Sequence, residues 1–261
     1  MELDGKNLAE SDINVNSLWI IGPRAKGGKH SNVYHGNFAP QIPNQMIRRY
    51  TKEGDTILEM FMGSGTTLFE CETLNRNYIG FDINVDIINM VDSKMEGVEN
   101  IFYRIHNCDI CSSEKVTSHI SSDLQQLGKK SVDHIIIHPP YLDIIKFTQQ
   151  PEDLSNINNI NLFIERFVGA IKNCWQWLCN GKYVSLIIGD IYKNGEVIPL
   201  GFYLMYAIKK NFKTKLKGIV VKDMVGNRGK IGKEGLWKYR ALNSDTFLFK
   251  HEYIFVFKKI Q

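Results

Sequence analysis

Short apolar runs recur in this chain at intervals that leave room for one amphipathic helix between successive runs. Thr56–Phe61, Tyr78–Ile83, Val132–Ile137 and Tyr183–Ile188 read as strands, and Val132–Ile137 has the character of a strand buried on both faces. A third strand falls within Asn100–Ile110. Between them the apolar period changes to that of a helix: Thr67–Arg76 carries Leu68, Cys71 and Leu74 on one face, Val85–Met95 is a second helix, and Leu124 lies in a short helical stretch. Asn161–Cys179 places Phe163, Phe167, Ile171, Trp175 and Leu178 on one helical face, and Phe202–Lys210 is helical again. Leu216–Val221 and Tyr253–Phe257 are the last strands. Strands alternating with helices require parallel crossovers, so the expectation is an α/β fold with a doubly wound, mostly parallel sheet. The final strand follows a loop rather than a clear helix and is expected to run antiparallel.

At 261 residues the chain suits a single domain. Hydrophobic residues make up 43% and no apolar run is long enough to span a bilayer; the opening Met-Glu-Leu-Asp-Gly-Lys is not a signal peptide, so a cytosolic location is expected. Five cysteines at irregular spacings argue against a disulfide framework, and Cys108-Asp-Ile-Cys111 lacks a second ligand cluster, so no metal is expected. The formal charge of +4 is mild, but cations gather in two segments that break the alternation, residues 1–40 and 223–246. Arg24, Lys26, Lys29 and His30 lie in the first; Lys222, Arg228, Lys230, Lys233, Lys238 and Arg240 crowd the second and its edge. Both suit a phosphate backbone, and the alternative is a solvated surface loop.

Two short motifs carry chemistry. Gly63-Ser64-Gly65 sits between a strand and a helix, where missing side chains and free N–H groups admit a ligand to the backbone; a plain tight turn is the other reading. Asp82 ends the next strand, placed to accept hydrogen bonds from ribose hydroxyls. His138-Pro139-Pro140-Tyr141 follows the most apolar strand, at the sheet edge where ligands bind in open α/β folds. Its prolines have no N–H and leave neighbouring carbonyls as rigid acceptors, which suits an exocyclic amine that must be made nucleophilic.

Phe61-Met-Gly63-Ser64-Gly65-Thr66-Thr67, with Ile79-Gly-Phe-Asp82-Ile-Asn after it, resembles motifs I and II of the amino-methylating DNA methyltransferases. Gly36-Asn-Phe-Ala-Pro-Gln resembles that family's motif X, and His138-Pro139-Pro140-Tyr141 its catalytic motif; the likeness runs from about residue 36 to residue 258. The resemblance implies a Rossmann-like fold binding S-adenosylmethionine through Phe61, Gly63, Ser64, Gly65, Thr66, Thr67 and Asp82, with Asp109 beside the cofactor's adenine. Asp109 reads equally as a helix N-cap before Ser112 and Ser113. The family's substrate is a base flipped out of double-stranded DNA, its amino group held by the first side chain and following carbonyl of the motif while the aromatic fourth residue, here Tyr141, stacks on it.

The family usually has Asp, Asn or Ser where this chain has His138. A neutral imidazole accepts one hydrogen bond, and histidine can take a released proton, but it brings no carboxylate charge. Loss of activity, or an imidazole turned away to satisfy a backbone group, are the other readings. Adenine N6 is favoured over cytosine N4 only as the commoner activity. With no large insertion, sequence recognition is expected to be loop-based or supplied by another subunit, with Arg228, Lys230, Trp237 and Arg240 as substrate contacts and a cognate endonuclease or specificity subunit as partner. Asp190 and His251 read as structural. The rival functions are methylation of an RNA base and a catalytically silent cofactor-binding subunit.

Overall fold

The apolar runs become the centre of one eight-stranded sheet in a computed structural model that describes residues 11–30, 36–224 and 234–261. In chain order the elements are β1 (Leu18–Trp19), α1 (Gln41–Tyr50), β2 (Thr56–Glu59), α2 (Thr66–Thr73), β3 (Asn77–Asp82), α3 (Val85–Met95), β4 (Tyr103–Asn107), α4 (Ser113–Gln126) and β5 (Val132–Ile137). They continue with α5 (Ile160–Trp175), β6 (Leu178–Ile188), β7 (Ile191–Lys193), β8 (Glu196–Ile198), α6 (Leu200–Asn211), β9 (Thr214–Asp223), α7 (Glu234–Asn243) and β10 (His251–Lys259). The sheet order is β1-β9-β10-β6-β5-β2-β3-β4, and β7 and β8 pair separately as an antiparallel hairpin. β2 to β6 run parallel; β10 is antiparallel to both β6 and β9. The fold class is the expected one, and the reversed last strand is inserted inside the sheet rather than added to its edge.

Neighbouring residues on each central strand face opposite layers. Ile57, Tyr78 and Ile136 pack with Ile42 of α1, Leu68 of α2 and Val91 of α3; Leu58, Ile79 and Ile135 pack with Val116 of α4, Phe167 of α5 and Leu204 of α6. Because helices cover both faces, these strands are apolar without alternation. Each fully buried phenylalanine of α5, Phe163 and Phe167, contributes about 1.5–3 kcal/mol on leaving water.

The structure corrects several boundaries. The helix expected to reach Cys179 ends at Trp175, and Leu178 opens β6 opposite Val132 of β5. Leu178 is buried among the helix's own core partners, so its apolar character fitted either period. The register of β5 and β6 shifts between Val132 and His134, beside Gly181 at φ 81°, so the strand expected at 183 starts five residues earlier through an irregularity that glycine permits. α4 is a full 14-residue helix. The two segments read as irregular contain β1, and α7 from Glu234 to Asn243. No helix among the described residues is long and apolar enough to cross a membrane.

β3 and β4 extend the sheet on one side of β2, whereas β5 and β6 extend it on the other. The loops leaving the carboxyl ends of β2 and β5 therefore part, opening the crevice in which open α/β sheets hold ligands. Reversal of β10 brings its first residues to the same edge.

Candidate active site

A cavity of about 430 Å³ occupies that crevice. Its walls come from the loops after β2, β3, β4 and β5, from the ends of β9 and β10, and from two stretches of the N-terminal segment around Ile21–Gly22 and Gly36–Ala39. Its size is that of a small-molecule site.

On the β3–β4 side, Asp82 ties two loops together. Gly63, at φ 53°, donates its N–H to Oδ2 at 2.8 Å, and Asn84 donates its N–H to Oδ1 at 2.9 Å. Each oxygen keeps a further acceptor site, and the carboxylate lines the cavity. Burial raises its pKa to about 6, although the backbone N–H groups of Asn84, Gly63 and Ile83 pull the other way. Behind the loop, Glu59 receives the Thr67 hydroxyl at 2.6 Å and the Tyr78 hydroxyl at 2.5 Å, joining β2, α2 and β3 below the cavity floor. Its burial raises its pKa to about 8, opposed by the hydrogen bonds from Thr67 and Tyr78. Asp109 lines the cavity and also accepts the Cys111 N–H at 2.8 Å, closing the turn before α4.

Phe61, Gly63 and Thr66 line the cavity, but three other loop residues expected there do not. Thr67 turns to Glu59 in the core, Ser64 is buried, and Gly65 starts α2 at φ 80° where a Cβ would meet Val91 at 2.9 Å. Gly65 is thus required by helix packing rather than by the cavity.

On the other side stand His138, Pro139, Pro140 and Tyr141, all in the cavity wall. The imidazole meets Phe38 edge-on at 4.8 Å and Tyr141 edge-on at 5.9 Å, and no hydrogen bond joins it to a described residue. Among the described residues it therefore satisfies no backbone group. Burial lowers its pKa to about 4, opposed by the nearby Glu252 and assisted by Lys222, so it is a neutral acceptor at physiological pH. Tyr141 donates its hydroxyl to Oε2 of Glu252 at 3.2 Å, while Lys222 bonds Oε1 at 2.8 Å. Burial, and then the charge of Glu252, raise the Tyr141 pKa well above its ordinary value. Gly189 gives the ring its room, since a Cβ there would lie 3.1 Å from Cε2. Glu252 was missed as a site residue, and Lys222 was read only as a member of the basic cluster suited to a phosphate backbone; a Glu opening a strand carries no motif.

Asp190 accepts the Gly201 N–H at the start of α6 and the Tyr253 hydroxyl, both at 3.1 Å, and His251 bonds the same hydroxyl at 3.0 Å. Trp237 and Arg240 lie on α7, with the guanidinium 5.3 Å from the indole centroid, and neither reaches the cavity wall. Arg228 and Lys230 fall outside the described residues.

Residues 2–93 match a family model described as DNA methylase. The chain is 43% identical over 99 residues to the type II methyltransferase M.HpaI of Haemophilus parainfluenzae, covering 36% of this chain and 32% of that protein. It is 42% identical over 106 residues to M.HindIII of Haemophilus influenzae, covering 34% and 33%. The chain thus spans about a third of the length of such relatives. Among solved structures it resembles TrmN from Thermus thermophilus, with a TM-score of 0.52 and 14% identity over 87% of this chain and 50% of that one. A Streptococcus mutans protein solved in complex with SAH aligns with a TM-score of 0.50 and 11% identity, over 86% and 99%. At these identities the likeness is one of fold alone.

Proposed function

We propose that this chain transfers a methyl group from S-adenosylmethionine to an exocyclic amino group of a base flipped out of double-stranded DNA, with adenine N6 favoured over cytosine N4. The observation that carries the reading is the convergence of Asp82 and Asp109 with His138-Pro-Pro-Tyr141 on one cavity at the topological switch point. The DNA methylase match over residues 2–93 and the type II methyltransferase relatives support DNA as the substrate.

The residues present fit the cofactor. Asp82 has one unused acceptor site on each oxygen for the two ribose hydroxyls, and Gly63, Phe61 and Thr66 border the same space. Asp109 takes the adenine end. When bound, S-adenosylmethionine supplies an electrophilic methyl carbon on a positively charged sulfur. The remaining chemistry belongs to the chain: the His138 imidazole and the Pro139 carbonyl accept the amino hydrogens, and Tyr141 replaces part of the stacking lost on flipping.

Incubation with labelled cofactor and either DNA or tRNA, followed by nucleoside mass spectrometry, tests the reading. N6-methyldeoxyadenosine or N4-methyldeoxycytidine is expected. A methylated ribonucleoside would move the substrate to RNA, and cofactor binding without product would make the chain a silent subunit.

A further inference from the structure

Four of the charged side chains in the cavity wall fall on two sides of β5. Asp82 and Asp109 lie toward β3 and β4, where the cofactor reading uses them; Lys222 and Glu252 lie toward β9 and β10, where it does not. The latter two are register partners on adjacent strands, each 6% exposed, with Nζ and Oε1 2.8 Å apart. Burying two charges costs more than burying two apolar side chains of the same size, so nothing in sheet stability alone calls for this pair. Both side chains border the cavity, and the second carboxylate oxygen is tied to Tyr141 of the motif.

The reaction needs what this pair contains. As the amine attacks, its nitrogen becomes positively charged, and an acceptor with full negative charge stabilises that state more than a neutral one. An imidazole accepts a hydrogen bond without supplying such a charge. We propose, resting on the methyltransferase reading above, that the Glu252 carboxylate shares with the His138 imidazole, in a three-centre hydrogen bond, the amino hydrogen not held by the Pro139 carbonyl, and supplies the negative charge that His138 lacks. Lys222 and Tyr141 act as its positioning residues.

The nitrogen lone pair forms the new N–C bond while the methyl carbon's bond to sulfur breaks, its electron pair going to sulfur. The nitrogen then gives one N–H proton to Glu252, which passes it to solvent once the methylated base has left. The same carboxylate selects the base class. Adenine and cytosine present N–H donors at this position, whereas guanine and thymine present a carbonyl oxygen that a carboxylate repels.

The test compares wild type, Glu252→Gln, Lys222→Met and the Lys222→Met/Glu252→Gln double variant. Single-turnover methylation of unmethylated plasmid DNA is read beside cofactor affinity by calorimetry, DNA affinity in the presence of S-adenosylhomocysteine, and thermal melting. Glu252→Gln is expected to slow transfer about 100-fold and weaken DNA binding, with cofactor affinity within about 2-fold of wild type. The double variant, free of any unpaired buried charge, is expected to melt cooperatively and stay as slow. Wild-type rate in Glu252→Gln, recovery of rate in the double variant, or a double variant that fails to fold would overturn the proposal. A wild-type protein that binds cofactor but methylates neither DNA nor RNA would overturn the methyltransferase reading itself, which the other outcomes leave standing.

Discussion

The two sides of the cavity are assembled from very different lengths of chain. The β3–β4 side is nearly local: Glu59, Gly63, Asp82 and Asp109 all leave strands that follow one another directly, and the Gly63–Asp82 bond closes only 19 residues. On the β9–β10 side, Tyr141 meets Glu252 across 111 residues and Lys222 meets it across 30. Backbone donors fix the carboxylate of the first side, while side chains fix that of the second. The local side is therefore suited to holding an invariant ligand, and the distant side to setting what is done with it.

Substitutions that affect only one side would sharpen this division. The largest effect is expected from Asp82→Ala, which removes two charge-assisted hydrogen bonds to the cofactor and costs about 3–6 kcal/mol of binding by calorimetry. Its single-turnover rate at saturating cofactor should stay near wild type; an equal loss in rate would break the division. Lys222→Met leaves Glu252 buried without its cation and is expected to lower unfolding free energy by about 3–5 kcal/mol in denaturant titration, with little change in cofactor affinity.

His138→Ala should reduce turnover about 100-fold, or about 2.7 kcal/mol, while cofactor affinity changes little; full activity would refute a role for the imidazole. The smallest effect is one of pH. Asp82 titrates at about 6 because burial disfavours its charge, and the ribose hydroxyls need the ionised acceptor, so cofactor affinity should be flat above pH 6. Below that it should fall by at most about tenfold per unit, or about 1.4 kcal/mol. His138, near 4, is neutral throughout the window from pH 5 to pH 9 and contributes no inflection there. A rate inflection near pH 6.5 at saturating cofactor would mean an imidazole with ordinary exposure.

The same contrast explains what could be read from the residues alone. Strand–helix alternation from Thr56 onward specified the parallel sheet because both faces are covered and every central strand is apolar. Asp82 and the glycine loop were legible because their spacing is local. Thr67 and Gly65 were read as ligand contacts, although one serves Glu59 and the other admits Val91; a loop motif does not reveal which of its members face inward. Lys222 and Glu252 became neighbours only through the pairing of β9 with β10, and no periodicity announces a cross-strand pair. The N-terminal wall near Phe38 was legible only through the motif X likeness of Gly36-Asn-Phe-Ala-Pro-Gln, since it reaches His138 by tertiary packing. α7 was read as irregular because Leu236, Tyr239 and Leu242 are exposed and follow no single buried face.

The position of β10 has a consequence for how the molecule comes together. It is a late strand that must enter between two already laid down, β6 and β9, rather than extend an edge. Contacts of such long sequence separation form slowly, and until they form β6 and β9 each present an unpaired row of backbone donors and acceptors. The half of the sheet from β2 to β4 needs none of this and can order on its own sequence neighbours. Self-association during refolding should therefore concentrate at the β6–β9 gap, where the last strand to arrive closes the sheet.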